Sequence, residues 1–230
     1  MKVATWNIER LKHKKNLNDI VRLCNEQHAD ILVLTETDEQ VRPDFKYGFH
    51  TPRLSAYPLD LSLPAYYTPT ENRVSIYTNY QCVAQHETFD KHTALCVELS
   101  TELGNILVYG TIIGVLGNRS PKFNDELKCH VEDFKRLSHE GSLCICGDFN
   151  CSFCDNYYYT KLARSELKDV FDCASISLLT ENQPECIDHI AVASSLIENA
   201  DITVSEWNIC KRLSDHKGIA VEVSCRGDYD

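Results

Sequence analysis

Short apolar segments of strand length recur along this chain and far outnumber the segments with helical periodicity. Their lengths and the turn residues that bound them are typical of β-strands. The predicted strands are residues 2–6, 30–37, 73–79, 93–100, 105–113, 142–146, 186–193, 201–207 and 218–224. Helical spacing of apolar residues is limited to residues 17–24, 123–137 and 157–168. This mixture predicts two packed β-sheets flanked by helices.

One region departs from this pattern. Residues 42–70 contain five of the seven prolines and show little periodicity, which predicts a long surface excursion over one rim of the fold. The rest of the chain shows no repeat, low-complexity segment or linker. With 230 residues, of which 43% are hydrophobic, the chain can bury the core of one ordinary domain. We therefore predict a single domain over residues 1–225 and an acidic tail over residues 226–230.

The charge balance limits the partners of the protein. It has 34 acidic and 23 basic residues, a formal net charge of -11, which repels nucleic-acid phosphates unless metal ions or a local basic patch offset it. The first apolar run is too short for a secretory signal, and no segment approaches the roughly 20 apolar residues of a membrane span. We expect a soluble, cytoplasmic protein that does not insert into a membrane and is a monomer.

Four of the twelve cysteines fall in the segment "CICGDFNCSFC", which begins at Cys144. Two interpretations compete here, a zinc or redox centre and a buried strand. Structural zinc sites usually use two pairs of ligands separated by a longer loop, so this spacing favours the strand, with reduced thiols in the core. Along a strand, Cys144 and Cys146 share a face with Asp148 and support it from below. A redox effect of Cys151 and Cys154, just after the strand, is left open.

Polar side chains accumulate where the predicted strands end. Loops at strand ends are where rigid scaffolds display functional groups, although a single Asp or Asn there is more often a turn residue. Carboxylates and amides without cysteine are the hard oxygen ligands that suit Mg²⁺ or Mn²⁺ rather than Zn²⁺. The residues concerned are Asn7, Glu9, Glu36, Asp148, Asn150, Asp188, His189, Asp215 and His216.

Five motifs carry a resemblance that covers nearly the full chain. They are "TWNIERL", "ADILVLTETD", "CGDFN", "CIDHIAV" and "SDHKGIAVEV", in this order. Together they resemble the endonuclease/exonuclease/phosphatase superfamily, the metal-dependent phosphoesterases that include abasic-site endonucleases, deoxyribonuclease I and inositol phosphatases. The resemblance implies an α/β (α+β) fold, a four-layer sandwich of two packed mixed β-sheets flanked by helices, with the active site at the strand ends of both sheets.

The resemblance also implies a metal site. Glu36 takes the position of the metal-binding glutamate of the second motif, and Glu9 and Asp215 complete or neighbour the metal shell. Asn7 orients the substrate phosphate by hydrogen bonds. The expected cofactor is Mg²⁺ or Mn²⁺, which neutralises the phosphoryl group and stabilises the leaving oxygen.

Four residues take catalytic roles in the same comparison. Asp148 positions and deprotonates the attacking water, and Asn150 holds that geometry and contacts phosphate. His216 donates a proton to a phosphoryl oxygen, and Asp188 orients its ring and favours its charged form. His189 is expected to point to the opposite face of its strand and to be structural.

The chain departs from the family pattern at the strand "LVYGTIIG", where many members carry a phosphate-contacting histidine or tyrosine. Thr111 stands in that position, and Tyr109, two residues before it on the same face, is the alternative with a longer reach. A core role fits Tyr109 equally well. Asn118 and Arg119 lie in the next loop, where members often place a phosphate-contacting asparagine, and plain turn chemistry is the alternative.

The substrate is the least constrained feature. Only 37 residues separate Asn150 from Asp188, which leaves little room for loops that grip duplex DNA. The segment "NYYYTKLARSELK" after Asn150 offers tyrosines that could stack on bases, although packing is the more common role of such tyrosines in a helix. We predict hydrolysis of phosphodiesters in DNA or RNA by an activated water. The alternatives are a phosphatase or phosphodiesterase of small phosphorylated molecules or lipids, and a catalytically silent binding module.

Overall fold

The computed structural model describes residues 1–56 and 67–225, which form two six-stranded β-sheets packed face to face. The strands are β1 Lys2–Asn7, β2 Ile31–Asp38, β3 Tyr47–His50, β4 Glu71–Thr78, β5 Gln81–His86, β6 Ala94–Thr101, β7 Gly104–Ile112, β8 Ser142–Asp148, β9 Ile176–Leu178, β10 Asp188–Ala193, β11 Ala200–Trp207 and β12 Gly218–Cys225. The helices are α1 Leu17–Glu26, α2 Phe123–Ser138 and α3 Lys161–Cys173. Short 3₁₀ helices cover Glu9–Leu11, Lys14–Asn16, Leu54–Ala56 and Ser194–Leu196.

The layers of the fold follow from three apolar clusters. The first sheet has the order β11-β12-β1-β2-β4-β3 and the second β5-β6-β7-β8-β10-β9, and residues such as Val33 and Cys146 fill the space between them. Ile20 of α1 packs with Trp6 on the outer face of the first sheet. Phe134 of α2 is part of the cluster that covers the outer face of the second sheet. These four layers confirm the predicted sandwich.

The topology brings the polar strand ends to one edge of the sandwich. β1 and β2 pair in parallel, as do β7 and β8, so their carboxyl ends point the same way within each sheet. β10 runs antiparallel to β8 and β12 antiparallel to β1, so both begin where those neighbours end. Residues at the ends of β1, β2 and β8 therefore meet residues at the start of β10 and just before β12.

Three strands and one helix boundary differ from the sequence-based expectation. The sequence pattern does not predict β3, β5 or β9, which all lie at a sheet edge. β3 and β9 have only four and three residues, and β5 places three apolar residues in a row instead of alternating them with polar ones. The third helix begins at Lys161, since the Thr160 hydroxyl accepts a hydrogen bond from the Ala163 amide at 3.0 Å and caps it. The tyrosines before Thr160 therefore belong to the loop and not to the helix.

Part of the predicted excursion and the predicted acidic tail fall outside the described residues. The excursion over residues 42–70 contains β3 and a 3₁₀ helix where the structure describes it. No helix in residues 1–56 and 67–225 combines the length and the apolar character needed to cross a membrane. Eleven cysteines whose side chains the structure describes are free thiols.

Candidate active site

A short hydrogen bond links Asp188 and His216 at the edge where the strand ends meet. Oδ2 of Asp188 lies 2.5 Å from Nδ1 of His216, which leaves the Nε2 side of the ring for other partners. The backbone of His216 is held by Trp6, whose indole Nε1 donates to its carbonyl at 3.2 Å, and by Ser214, whose hydroxyl accepts from its amide at 3.1 Å. Strands of both sheets thus fix the orientation of the imidazole.

The charge state of His216 follows from its surroundings. Burial alone lowers the pKa of this imidazole, but the carboxylates of Asp188, Asp148 and Asp215 outweigh burial and raise the pKa to about 10. The ring is therefore protonated at neutral pH. A charged imidazole that is oriented by a carboxylate can donate a proton or a hydrogen bond to an oxygen at its Nε2 atom.

Asp148, the last residue of β8, is almost fully buried beside this pair. Its Oδ1 accepts a hydrogen bond from the Asn150 amide at 2.8 Å, and its Oδ2 accepts from the side chain of Asn7 at 3.1 Å. Burial and the neighbouring Asp188 and Glu36 charges raise the pKa of Asp148 to about 7, although His216 opposes the shift. A carboxylate with a pKa near neutrality can act as a general base.

Asn7 connects the two sheets at the centre of this cluster. Its backbone amide donates to Oδ1 of Asp188 at 3.1 Å, while its side chain reaches Asp148. Its carbonyl accepts from the Ser214 hydroxyl at 2.6 Å. The side chain of Asn150 donates to the carbonyls of Ile113 at 3.0 Å and Gly114 at 3.2 Å, at the end of β7. The two asparagines therefore hold Asp148 from both sides.

The predicted metal ligands lie around the end of β2. Glu36 has a left-handed backbone with a φ of 44°, which is uncommon for a residue within a strand. Burial raises the pKa of Glu36, and the negative charge of Asp215 adds to this effect, while the side chain of Asn7 opposes it. Glu9 already accepts hydrogen bonds from Lys12 Nζ at 2.7 Å and from the Asp215 amide at 3.1 Å.

These donors fit a hard divalent cation. Within the described part of the chain, no three His, Cys, Asp or Glu side chains, Glu9, Glu36 and Asp215 included, lie together as a group that could hold a metal ion by itself. Mg²⁺ is commonly held by one or two carboxylates, with water and substrate phosphate completing its shell. Glu36 and Asp215 repel each other at this edge, and a cation between them would remove that repulsion. Glu36 would be the principal ligand, because it is the more buried of the two.

Tyr109 and Thr111 do not lie at this site. The Tyr109 hydroxyl donates to Asp133 of α2 at 2.9 Å, and the Thr111 hydroxyl is 3.3 Å from Nδ1 of His130. Both side chains therefore project to the outer face of the second sheet, and the prediction that either contacts phosphate is wrong. The residue of β7 that pairs with Asp148 is Ile112, which is one position further along the pleat.

The predicted phosphate-contacting residues Asn118 and Arg119 lie in the loop between β7 and α2. Asn118 is half-buried and Arg119 is exposed. Their loop is covered by Tyr158, and a side chain at Gly117 would come within 2.7 Å of the Tyr158 hydroxyl. Neither residue is among those that line the pocket beside His216, and their contact with a substrate phosphate stays a prediction.

A pocket of about 200 Å³ opens beside His216. Tyr157, Tyr158, Lys211 and Lys217 line it together with residues of the catalytic cluster. Lys211 donates to the Tyr157 hydroxyl at 2.7 Å and lies 4.6 Å from the centre of its ring. Sequence reasoning did not identify Lys211 or Lys217, because the fold alone brings them against a loop more than 50 residues earlier.

The cysteines of "CICGDFNCSFC" occupy different layers. Cys144 and Cys146 lie between the sheets with their sulfurs 3.6 Å apart, below Asp148 as predicted. Cys151 lies in the cluster on the outer face, and Cys154 is exposed, so the four thiols do not converge on a zinc site. Burial raises the pKa of both Cys151 and Cys154, which disfavours the reactive thiolate.

His189 lies on the opposite side of β10 from the cluster. Its Nδ1 atom is 2.9 Å from the Thr180 hydroxyl, and its Nε2 atom is 2.9 Å from the Cys151 carbonyl. The ring also contacts Phe153 edge-on, with ring centres 4.9 Å apart. These contacts give His189 a structural place in the layer below α3.

A carboxylate–histidine pair and a carboxylate cluster at the strand ends of a four-layer sandwich define a hydrolase of the phosphoesterase class. The sequence pattern of the endonuclease/exonuclease/phosphatase family matches residues 4–216, and the chain belongs to this family. Its members are phosphoesterase hydrolases that generally depend on divalent metals. No curated protein matches the sequence.

Solved structures share the fold at low sequence identity. A 3′ phosphatase, NExo, from Neisseria, bound to product DNA hairpin, is 18% identical with a TM-score of 0.70, over 97% of this chain and 99% of that one. An AP endonuclease from Archaeoglobus fulgidus is 14% identical with a TM-score of 0.66, over 97% and 99%. The AP endonuclease LMAP from Leishmania major is 14% identical with a TM-score of 0.72, over 96% and 86%.

Proposed function

We propose that the protein is a divalent-metal-dependent nuclease that cleaves phosphodiester bonds in DNA or RNA. The observation that carries this proposal is the pocket of tyrosines and lysines that opens directly beside the Asp188–His216 pair. A phosphate placed at His216 would bring the adjoining nucleotide against these side chains.

The residues of the cluster divide the reaction between them. Asp148 accepts the proton of the attacking water, and Asn7 and Asn150 keep its carboxylate in place. His216, protonated and oriented by Asp188, donates to a phosphoryl oxygen as negative charge develops there. Bound at Glu36 and Asp215, a divalent cation would supply charge neutralisation for the phosphoryl group and the leaving oxygen.

The pocket suits a nucleotide better than a small phosphate alone. Base stacking on an aromatic ring contributes about 1–3 kcal/mol per base and tolerates any base, and lysines attract the backbone phosphates. Tyr157 is 47% exposed and so presents its ring to solvent. Arg164 lies 4.3 Å from the centre of the Tyr159 ring and donates to the carbonyls of Ser152 and Asp155, so it fixes the loop that carries these tyrosines. Tyr157, Tyr158 and Lys211 therefore form a local basic and aromatic surface beside the catalytic cluster.

The structural relatives also support a nuclease that acts on nucleic acid. The Neisseria 3′ phosphatase is bound to a DNA hairpin product, and two further relatives are AP endonucleases. A phosphatase or phosphodiesterase of small molecules or lipids is the second candidate, and the short connection between Asn150 and Asp188 favours it because it limits the surface for duplex DNA.

A substrate panel tests the proposal. Wild type, Asp148→Asn and His216→Ala are incubated with Mg²⁺ or Mn²⁺ and single-stranded DNA, abasic duplex, RNA, 3′-phosphorylated oligonucleotide, inositol phosphates or a chromogenic phosphodiester. We expect wild type to cleave at least one nucleic acid and both variants to lose about 10²–10⁴-fold in kcat. Turnover of only inositol phosphates would contradict the nuclease, and binding of a substrate without hydrolysis would indicate a silent module.

Variants of the pocket separate nucleic acid from small esters. We expect Tyr157→Ala and Lys211→Ala to raise KM for an oligonucleotide about tenfold and to leave the chromogenic ester nearly unchanged. Lys46→Ala serves as the control, because Lys46 lies over the Tyr47 ring at 5.0 Å in another part of the protein. An equal effect of the pocket variants on both substrates would contradict a nucleotide-binding role.

A further inference from the structure

Arg10, which directly follows the predicted metal-site residue Glu9, forms an ion pair with the buried Glu71. Arg10 forms two N–O contacts with Glu71, one between Nε and Oε1 and one of 3.2 Å between Nη2 and Oε2. The Glu71 side chain is only 2% exposed. Its Oε2 also accepts the Thr68 amide at 3.1 Å, so the carboxylate has a fixed position. Such a paired contact is the strongest kind of ion pair between side chains.

The backbone around Arg10 adopts an uncommon conformation. Glu9, Arg10 and Leu11 all have left-handed φ values, 52°, 54° and 51°. Each such residue costs about 1–3 kcal/mol, so the segment persists only because its surroundings hold it. Tyr67 supports the guanidinium from the other side, with its ring centre 5.1 Å from Cζ of Arg10. The bond to Glu71 is thus one of the contacts that hold the segment.

Arg10 lies close to the part of β2 that carries Glu36, because the amide of Ile8, two residues before Arg10, donates to the Thr35 carbonyl at 3.0 Å. Burial raises the pKa of Glu36, and the positive charge of Arg10 is among the influences that lower it. Glu71 begins β4 and pairs with Asp38, two residues after Glu36 on β2. The guanidinium is therefore near two carboxylates, one of which it binds and one of which is the predicted principal metal ligand. An arginine cannot lose its charge, so its position alone decides whether it competes with a cation.

We infer that Glu71 is a positioning residue that holds the Arg10 guanidinium away from Glu36 and so keeps Glu36 available to the divalent cation. This inference rests on the metal site of the proposed function. Without the Glu71 carboxylate, Arg10 forms its paired contact with Glu36 instead and excludes the cation. Glu71 affects cation binding only through Arg10, so removing Arg10 also removes the need for Glu71.

The test compares cation binding in single and double variants without relying on turnover. Mn²⁺ binding is measured by electron paramagnetic resonance, and the Mg²⁺-dependent rise in Tm is measured in parallel. We expect Glu71→Gln to weaken Mn²⁺ binding roughly tenfold and Arg10→Gln/Glu71→Gln to restore it to within about threefold of wild type. In hydrolysis assays the Mg²⁺ concentration for half activity should rise for Glu71→Gln, while kcat at saturating Mg²⁺ changes little.

Two further variants keep the comparison decisive. Glu26→Gln removes the carboxylate of the Arg22–Glu26 pair on the surface of α1 and should not affect Mn²⁺ binding. If Glu71→Gln does not fold, Glu71→Asp replaces it, because the shorter carboxylate breaks the paired contact and keeps the charge. Unchanged Mn²⁺ binding in the folded Glu71 variant, or equal weakening in the double variant, overturns the inference alone. A wild type that binds no cation and hydrolyses no substrate overturns the proposed function as well.

Discussion

The imidazole of His216 and the carboxylate of Asp188 join the two sheets of the sandwich across a 2.5 Å contact. Asp188 begins β10 in the second sheet, and His216 lies just before β12 in the first. Because the pair bridges the sheets, its geometry depends on how the two sheets pack. The packing of the core therefore determines the position of the His216 imidazole, which is the proton donor.

Removing the charge of Asp188 tests this pair. In Asp188→Asn the amide keeps the size of the side chain but no longer favours the charged imidazole, so the pKa of His216 falls. We expect kcat at pH 8 to fall about 10²-fold or more with a smaller change in KM, measured by steady-state kinetics. Asp172→Asn, at an exposed position of α3, is the control. Unchanged kcat in Asp188→Asn would show that His216 needs no carboxylate.

The cluster itself is largely predictable from the sequence. Asn7, Asp148, Asn150, Asp188 and His216 meet as expected, because each follows or begins an apolar strand and strand ends meet at one edge. The family motifs add the order in which the strands come together. The individual hydrogen bonds within the cluster depend on how the two sheets pack, and only the structure shows them. An example is Asn7, which contacts both Asp148 and Asp188.

The errors have a common physical origin in the buried strands. β7 is buried on both faces from Ile106 to Ile112, so its sequence has no alternation to show which side chains face the other sheet. An error of one residue in assigning the faces of a strand exchanges all of its side chains between the two faces. The sequence-based assignment put Tyr109 and Thr111 on the face towards the site, whereas the residue of β7 that pairs with Asp148 is Ile112. Lys211 and Glu71 could not be predicted for another reason. Lys211 is a single charged residue in the loop before β12, Glu71 is a single charged residue at the start of β4, and neither belongs to a sequence pattern.

A divalent cation should stabilise the protein through Glu36. At a Mg²⁺ concentration about ten times its Kd, binding contributes about 1.4 kcal/mol and should raise the Tm of wild type by about 3 °C. Glu36→Gln should lose most of this rise. Its Tm without Mg²⁺ should exceed that of wild type, because burial disfavours the charged form of Glu36 and raises its pKa. Differential scanning calorimetry with and without EDTA checks both points, and an equal Mg²⁺ effect in the variant would remove Glu36 from the metal site.

Gly147 is required by the close approach of two backbones just before Asp148. Its φ is 138°, and a Cβ atom there would lie 2.0 Å from the Thr111 carbonyl oxygen of β7. We expect Gly147→Ala to lower the free energy of unfolding by more than about 3 kcal/mol, because neither strand can move without breaking the parallel pair. Gly141→Ala is the matched control, since its Cβ meets only the Leu107 side chain at 3.4 Å. Similar urea midpoints for both variants would contradict this account.

His130 should make stability depend on pH below neutrality. The ring is fully buried against Tyr109, Thr111 and the Ile112 carbonyl, and burial lowers its pKa from 6.5 to about 4. The unfolded chain binds a proton near pH 6.5 and the folded chain does not, so the contribution of neutral His130 is complete above pH 6.5 and is lost as the pH falls towards 4. Between pH 7 and pH 5 this loss amounts to about 2 kcal/mol.

Other groups also titrate in this range, so the difference between wild type and His130→Gln is the informative quantity. Glutamine keeps a donor and an acceptor for the same partners but does not titrate. We expect the stability advantage of wild type over His130→Gln at pH 7 to shrink by about 2 kcal/mol at pH 5, measured by urea unfolding at both values. A difference that stays constant with pH would mean that His130 takes up its proton in the folded protein as readily as in the unfolded chain.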